Sequence, residues 1–285
     1  MLFRSLLLRD HHNAASYGRL GLISGVIVSA SALLCGWGIA PAARTCQRPQ
    51  SEAGTTRRLL QRVGGNGRFL RVLGLYLLLW CALQIMQTAA LIFLPVVMRL
   101  PEGWSNWILL PFQVSTLLGL WLWNSVCHHQ GRLPALRRGT ALWIGGCLAA
   151  MVLVPLDPAI APLGSWSNGL RLLALVVAIV AVGVGASTAY LIPWSLLPDA
   201  IDADPEKPAG QYSAWMVLAQ KICISVALFL FGNLMSLSGY QATRGALQPD
   251  SALLAIRLCM GLLPAVLVVL GLVVMRRWPA AAARP

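Results

Sequence analysis

Apolar residues in this chain come in long blocks separated by short polar or basic stretches, with no strict alternation along any of them. Seven blocks stand out, at residues 19–40, 72–98, 106–126, 139–156, 172–198, 211–240 and 252–275. Most reach about 18 residues or more, the length a helix needs to cross roughly 30 Å of hydrocarbon. A closed barrel would instead show alternating strands of about ten residues. Helices also satisfy every backbone polar group within the span. The pattern predicts an all-α polytopic membrane protein with about seven transmembrane helices. Composition agrees: 58% hydrophobic and 11% charged residues are far from the balance of a soluble domain of 285 residues. The opening MLFRSLLL is too short for a signal-peptide core, so no cleaved targeting signal is expected.

The basic residues orient these helices, because positively charged loops stay cytoplasmic. Seven arginines crowd between the first two blocks, from Arg44 to Arg71. Alternating from that loop places 14 basic residues inside, among them Arg132, Arg137, Arg138, Lys207 and Arg276, and 6 outside. The expected topology has the amino terminus out and the carboxyl terminus in the cytoplasm, in an integral protein of the plasma (inner) membrane. The net charge of +13 follows from this topology and from anionic headgroups, and no nucleic acid is implied. The expected organisation is an extracytoplasmic segment 1–18, a helix 19–40, a basic cytoplasmic linker 41–71, a six-helix lobe 72–275 and a cytoplasmic tail 276–285.

One charge breaks the apolar pattern. Lys221 lies about ten residues, roughly 15 Å, into its block, near the middle of the hydrocarbon. A cation there costs about 2.5 kcal/mol or more, so it normally faces a bundle interior or a solvated cavity. The alternative is a lysine on a local packing defect, although its stem is short for either interface. All nine carboxylates fall outside the block interiors, so no acid within a span pairs with Lys221.

Soluble-type catalysis finds no support. The pairs His11–His12 and His128–His129 fall on opposite sides of the membrane, and the seven cysteines show no C-x-x-C spacing. No metal, cofactor or enzymatic centre is predicted. VGGNG at 63–67 lacks the GK[ST] of a phosphate loop. Uncharged polar residues do recur inside the blocks: Gln84, Gln87 and Thr88 on one face of the second helix, Gln113 and Thr116 on the third, Ser187, Thr188 and Tyr190 on the fifth, and Gln220 beside Lys221. They could line a hydrated path, or bond helix to helix. Pro193 interrupts the fifth block near its inner end. Asp199 and Asp202, three apart, share a face at the cytoplasmic surface, where Arg132, Arg137 or Arg138 could reach them.

The segment AYLIPWSLLPDAIDADPEKPAGQYSAW at 189–215 resembles the glycoside, pentoside and hexuronide cation symporters of the major facilitator superfamily, and also the sodium-dependent lysophosphatidylcholine symporters. YLLLWCALQ at 76–84, HHQGRLPALRRG at 128–139, which is expected to be a loop, and GYQATRGALQPDSALLAIRL followed by an apolar run and RRWP fit the same order. The resemblance implies a six-helix carboxyl-terminal lobe plus one preceding helix, with most of an amino-terminal half lacking. It implies symport of a sugar or glycoside with Na⁺ or H⁺ by alternating access, with a lysophospholipid-type substrate or a non-transporting truncated remnant as alternatives. Lys221 matches the family's lysine near the cation and substrate sites, and Asp199 and Asp202 its cytoplasmic gating acids. The expected pathway residues are Lys221, Gln220, Gln84, Gln87, Gln113, Thr188 and Tyr190, and the expected gate is Asp199, Asp202, Arg132, Arg137 and Arg138. The expected partners are the bilayer, a small solute, and an amino-terminal half or second copy of the chain.

Overall fold

A computed structural model describes residues 14–45, 64–101, 103–205, 209–276 and 278. The expected outer segment up to residue 13, most of the basic linker (46–63), Lys207 and the tail beyond Trp278 lie outside them. Among the described residues all regular structure is helical. The helices are α1 (Ala14–Thr45), α2 (Gly67–Ile92), α3 (Trp104–Gln130), α4 (Arg132–Val152), α5 (Trp166–Ala186), α6 (Thr188–Ile201), α7 (Ala209–Leu237), α8 (Asp250–Met260) and α9 (Leu262–Met275). A π-helical turn, Phe93–Val97, extends α2. It contains Pro95, whose missing N–H loosens the ladder there. With α5–α6 and α8–α9 each forming one interrupted rod, the helices map one to one onto the seven apolar blocks.

Five of the seven rods are long and apolar enough to cross a membrane by themselves. The exceptions are α3, diluted by Pro111, Gln113 and Asn124, and α4, whose first two turns carry Arg132, Arg137 and Arg138. The chain divides into two compact units, Met1–Gln61 and Arg62–Pro285. The first contributes α1. The second is the lobe that holds the remaining helices.

Within the lobe, α2 packs against α6, α7, α8 and α9, while α5 lies between α3 and α4. The ends sort as the alternating topology requires. At one end the Asn66 amide donates to Ala200 O at 2.8 Å, joining the start of α2 to the end of α6. At the other end Leu156 N donates to Met98 O at 3.1 Å, and Arg257 donates to Met151 O and Leu153 O at 2.7 and 3.0 Å. Arg68, Arg71, Arg132, Arg137, Arg138 and Arg276 therefore gather at one end, hereafter the basic end.

Three boundaries differ from the sequence reading. First, α2 starts at Gly67 and not near 72, because the Asn66 carboxamide Oδ1 accepts from the backbone N–H groups of Arg68 and Phe69 and caps the helix. Second, the stretch 128–139, expected as a loop, is helical on both sides of a single residue. Gly131 sits at φ 91, a conformation glycine adopts without steric cost, and turns α3 directly into α4. Third, the fifth block breaks at Ser187 and not at Pro193. The Ser187 and Thr188 hydroxyls donate back to Val184 O (2.6 Å) and Gly185 O (2.8 Å). Such back-bonding competes with the helical ladder.

The packing between α3, α4 and α5 runs through glycines. A Cβ on Gly185 would lie 2.5 Å from Trp143 N and 2.6 Å from Gly139 O; one on Gly183 would meet Phe112 O at 2.8 Å. These neighbours are backbone and cannot swing aside. Gly185→Ala should therefore destabilise the lobe by about 1–3 kcal/mol, lowering the unfolding temperature of the detergent-purified chain relative to Gly145→Ala, whose Cβ would meet no atom within 4 Å. The two ends give a second test. A cysteine at Gly65, on the basic end, should be protected from impermeant thiol reagents in intact cells, and one at Leu247, on the opposite end and 85% exposed, should react.

Candidate functional site

Residues 76, 80, 84 and 87 fall at spacings of four, four and three, so Tyr76, Trp80, Gln84 and Gln87 form one stripe along α2. The neighbouring stripe, including Leu75 and Leu79, is used against Gly271 of α9. That leaves the aromatic and amide stripe beside α6 and α7. From α6, Tyr190 and Trp194 project at four-residue spacing. Trp80 meets Tyr190 edge-on at 5.2 Å between ring centroids, and Tyr76 meets Trp194 at 5.8 Å and Trp80 at 6.0 Å. The Gln87 side chain lies beside the Tyr190 hydroxyl. Edge-to-face pairs of this kind stabilise by about 0.5–1.5 kcal/mol beyond burial.

On the adjoining face of α2, α7 is fixed through weak thiol contacts. The Cys81 thiol donates to Cys223 O at 3.8 Å, and the Cys223 thiol to Leu77 O at 3.9 Å. This seats Gln220 in the buried stripe of α7, with Tyr212 and Met216 before it and Ala227 after. Lys221 is one residue on and thus turned by about 100°. It is exposed, about 18 Å from the start of α7, and makes no ion pair or side-chain hydrogen bond among the described residues. Ala214, Ser225 and Gly232 share its side of the helix together with the exposed Val217 and Leu228, whereas Ile222, Val226, Phe229 and Leu230 lie further round.

The expected pathway residues thus divide. Gln84, Gln87, Tyr190 and Gln220 are brought to the α2–α6–α7 side. Gln113 is exposed on α3, which packs on α4, α5 and α6, and the structure does not bring it to that group. Thr188 is fully buried, its hydroxyl bonded to Gly185 O and its methyl pressed toward Gly139 of α4; it serves helix packing. Three members of the patch were missed in the sequence: Tyr76, Trp80 and Trp194. Their i, i+4 spacing was the available signal. The Trp80 Nε1–H is buried without an acceptor among the described residues, and the Gln84 and Gln220 carboxamides, whose polar atoms stay open to solvent, make no hydrogen bond among them. A buried donor such as the Trp80 N–H costs about 1–3 kcal/mol unless water or a ligand satisfies it.

At the basic end, Arg132 and not Arg137 or Arg138 reaches Asp199. Its Nη1 donates to Asp199 Oδ2 and to Ser195 O, both at 2.7 Å, linking the first turn of α4 to the last turns of α6. The one-residue connection at Gly131 sets this register. Arg138 bonds to Gln130, Arg137 points elsewhere, and Asp202 is the C-cap of α6. A buried acid that sequence reading passed over, Asp204, accepts from the Tyr212 hydroxyl at 2.8 Å; the Asn66 amide donates to the same hydroxyl at 3.2 Å. Because the Arg132–Asp199 pair is partly exposed, at 39% and 31%, its coupling should be modest. A double-mutant cycle on Arg132→Gln and Asp199→Asn should give about 0.5–1 kcal/mol by thermal unfolding, and the same cycle with Arg137→Gln should give none.

A family profile described as MFS/sugar transport protein matches residues 1–281. The chain is 33% identical to an uncharacterized symporter of Synechocystis sp. over 222 residues, covering 75% of this chain and 38% of that protein. It is 24% identical to the sodium-dependent lysophosphatidylcholine symporter 1 of Gallus gallus, covering 91% and 47% of the two chains. It is 24% identical to a sphingosine-1-phosphate transporter of Xenopus tropicalis, covering 75% and 39%. In each case the chain spans less than half the length of the relative it matches. With its all-helical lobe, polar stripe and end-to-end charge sorting, the chain belongs to the MFS/sugar transport family of the major facilitator superfamily.

Proposed function

We propose that the chain forms the carboxyl-terminal lobe of a cation-coupled symporter, driven by Na⁺ or H⁺, that moves a sugar or glycoside by alternating access. The observation that carries this reading is the mid-depth patch on α2, α6 and α7. Aromatic faces at Trp80, Tyr190 and Trp194 suit the C–H face of a pyranose ring. The carboxamides of Gln84, Gln87 and Gln220 suit its hydroxyls, and Trp80 Nε1 offers a further donor. Lys221, on the adjoining side of α7, organises the site electrostatically. Being an unpaired cation at hydrocarbon depth, it calls for a carboxylate from outside this lobe, and a cation-binding carboxylate is also what coupling requires. The missing surface would come from the amino-terminal part of a longer polypeptide, from a separate half or from a second copy, with the two lobes rocking around the midplane site. In this reading the carrier sits in the plasma (inner) membrane with the basic end and the carboxyl terminus cytoplasmic.

A second reading has its own support. Several relatives bear the names of lysophospholipid or sphingolipid carriers. Lys221 would suit a phosphate, and the apolar run Ile222, Val226, Phe229 and Leu230 would suit an acyl chain lying along α7.

Uptake into proteoliposomes separates the two. Reconstituted with an amino-terminal half from a related carrier, the chain should take up labelled melibiose under a Na⁺ or H⁺ gradient. Trp80→Ala and Lys221→Ala should each reduce uptake about tenfold or more, and the chain alone should show none. Gradient-driven uptake of lysophosphatidylcholine with no melibiose uptake would favour the second reading. Robust uptake by the chain alone, abolished by Lys221→Ala, would point to a homodimeric carrier.

A further inference from the structure

The flank formed by α4 and α9 carries a groove built from helices other than those of the polar patch. It lies at the basic end and measures about 310 Å³. Its floor and walls are apolar, made by Leu133 and Leu136 of α4 and by Val269, Leu272, Val273 and Met275 of α9. Its rim holds Arg137 and Arg276. Both arginines are exposed, and neither guanidinium has an ion pair or a hydrogen bond among the described residues. The two other cations of the same turns of α4 are already engaged, Arg132 by Asp199 and Arg138 by Gln130. Among the described residues no carboxylate lines the groove.

Two guanidiniums at the mouth of an apolar furrow, at the end of membrane-spanning helices, match one kind of molecule in both parts. A sugar or a free phosphate would satisfy the rim and leave the furrow unused. A hydrocarbon alone would fill the furrow and leave two cations unpaired. The carboxyl-terminal tail is a poor occupant, since Arg277 and Arg284 give it the same sign as the rim. Arginine's planar fork binds phosphate oxygens two at a time, and basic pockets between spanning helices are suited to lipid headgroups. We propose that the α4–α9 groove binds one anionic phospholipid, its phosphate held between Arg137 and Arg276 and the first part of an acyl chain laid along Leu136, Leu272 and Val273. The site is distinct from the transport patch and stands whichever substrate that patch takes.

Native mass spectrometry of the detergent-purified 285-residue chain tests this. Titrated with palmitoyl-oleoyl phosphatidylglycerol, the chain should retain one lipid at a concentration about tenfold below that needed with the phosphatidylcholine of the same chains. Arg137→Gln/Arg276→Gln should remove that preference; both side chains are solvent-facing, so folding is not at stake. Val273→Trp, which fills the furrow and leaves both arginines in place, should also lower phosphatidylglycerol retention. Equal retention of the two lipids, or a preference unchanged in the double variant, would overturn the proposal. So would displacement of the lipid by equimolar glycerol 3-phosphate, which would make the rim a soluble-anion site. Stronger retention after deletion of residues 279–285 would overturn it too, by making the tail the occupant.

Discussion

In a bilayer, two helices gain little from hiding apolar surface from each other, because lipid chains are as apolar as leucine. What holds them is close contact between backbones, and small residues make that contact possible. The lobe depends on this at α3, α4 and α5, where Gly119, Gly139, Gly146, Gly183 and Gly185 each lie so close to a neighbouring helix that a methyl group would collide. Three rods locked in this way form a rigid block. The α5–α6 break at Ser187 is buried against Gly119 of α3, and Thr188 fills the space beside Gly139. From there α6 carries Tyr190 and Trp194 across to α2. The aromatic and amide patch is therefore positioned by packing that begins on the far side of the lobe.

The attachment of α7 is of a different kind. Only a narrow stripe of it is buried, from Tyr212 through Met216 and Gln220 to Ala227, Phe231 and Met235. At the basic end it is anchored by Tyr212, which is bonded to Asp204 and Asn66. The rest of its circumference is open, Lys221 included. A helix crossing lipid with a lysine at mid-depth cannot leave that side to hydrocarbon without cost. The side bearing Ala214, Lys221, Ser225 and Gly232 is accordingly the one expected to face the aqueous path between lobes.

The rods were legible in the sequence because the requirement they meet is a local one: enough consecutive apolar residues to cross about 30 Å. Their ends were less so. The early start of α2 depends on a single capping asparagine, and the conversion of 128–139 from loop to helix depends on what one glycine permits at position 131. Both are contextual choices of backbone. The Arg132–Asp199 pair shows the consequence, since the one-residue turn at Gly131 decides that Arg132 faces Asp199. Around the patch, Gln84, Gln87, Gln220 and the adjoining Lys221 stood out in the sequence by being polar in apolar surroundings. Tyr76, Trp80 and Trp194 did not, because an aromatic ring in an apolar block looks like core. Thr188 shows the opposite error: a hydroxyl can be consumed by its own helix, and polarity alone does not tell where a side chain points.

The central claim is that the Lys221 side of α7 lines water and the Phe229 side meets lipid. Nitroxides placed singly at positions 218, 221, 222, 225, 226, 229, 230 and 232, in the chain assembled with an amino-terminal half in liposomes, would show it through paramagnetic relaxation. The account predicts that collision with a water-soluble nickel chelate peaks at 221, 225 and 232, and that collision with oxygen peaks at 222, 226, 229 and 230. Oxygen-dominated relaxation at 221 and 225, equal to that at 229, would place Lys221 against lipid and contradict the assignment of the transport path.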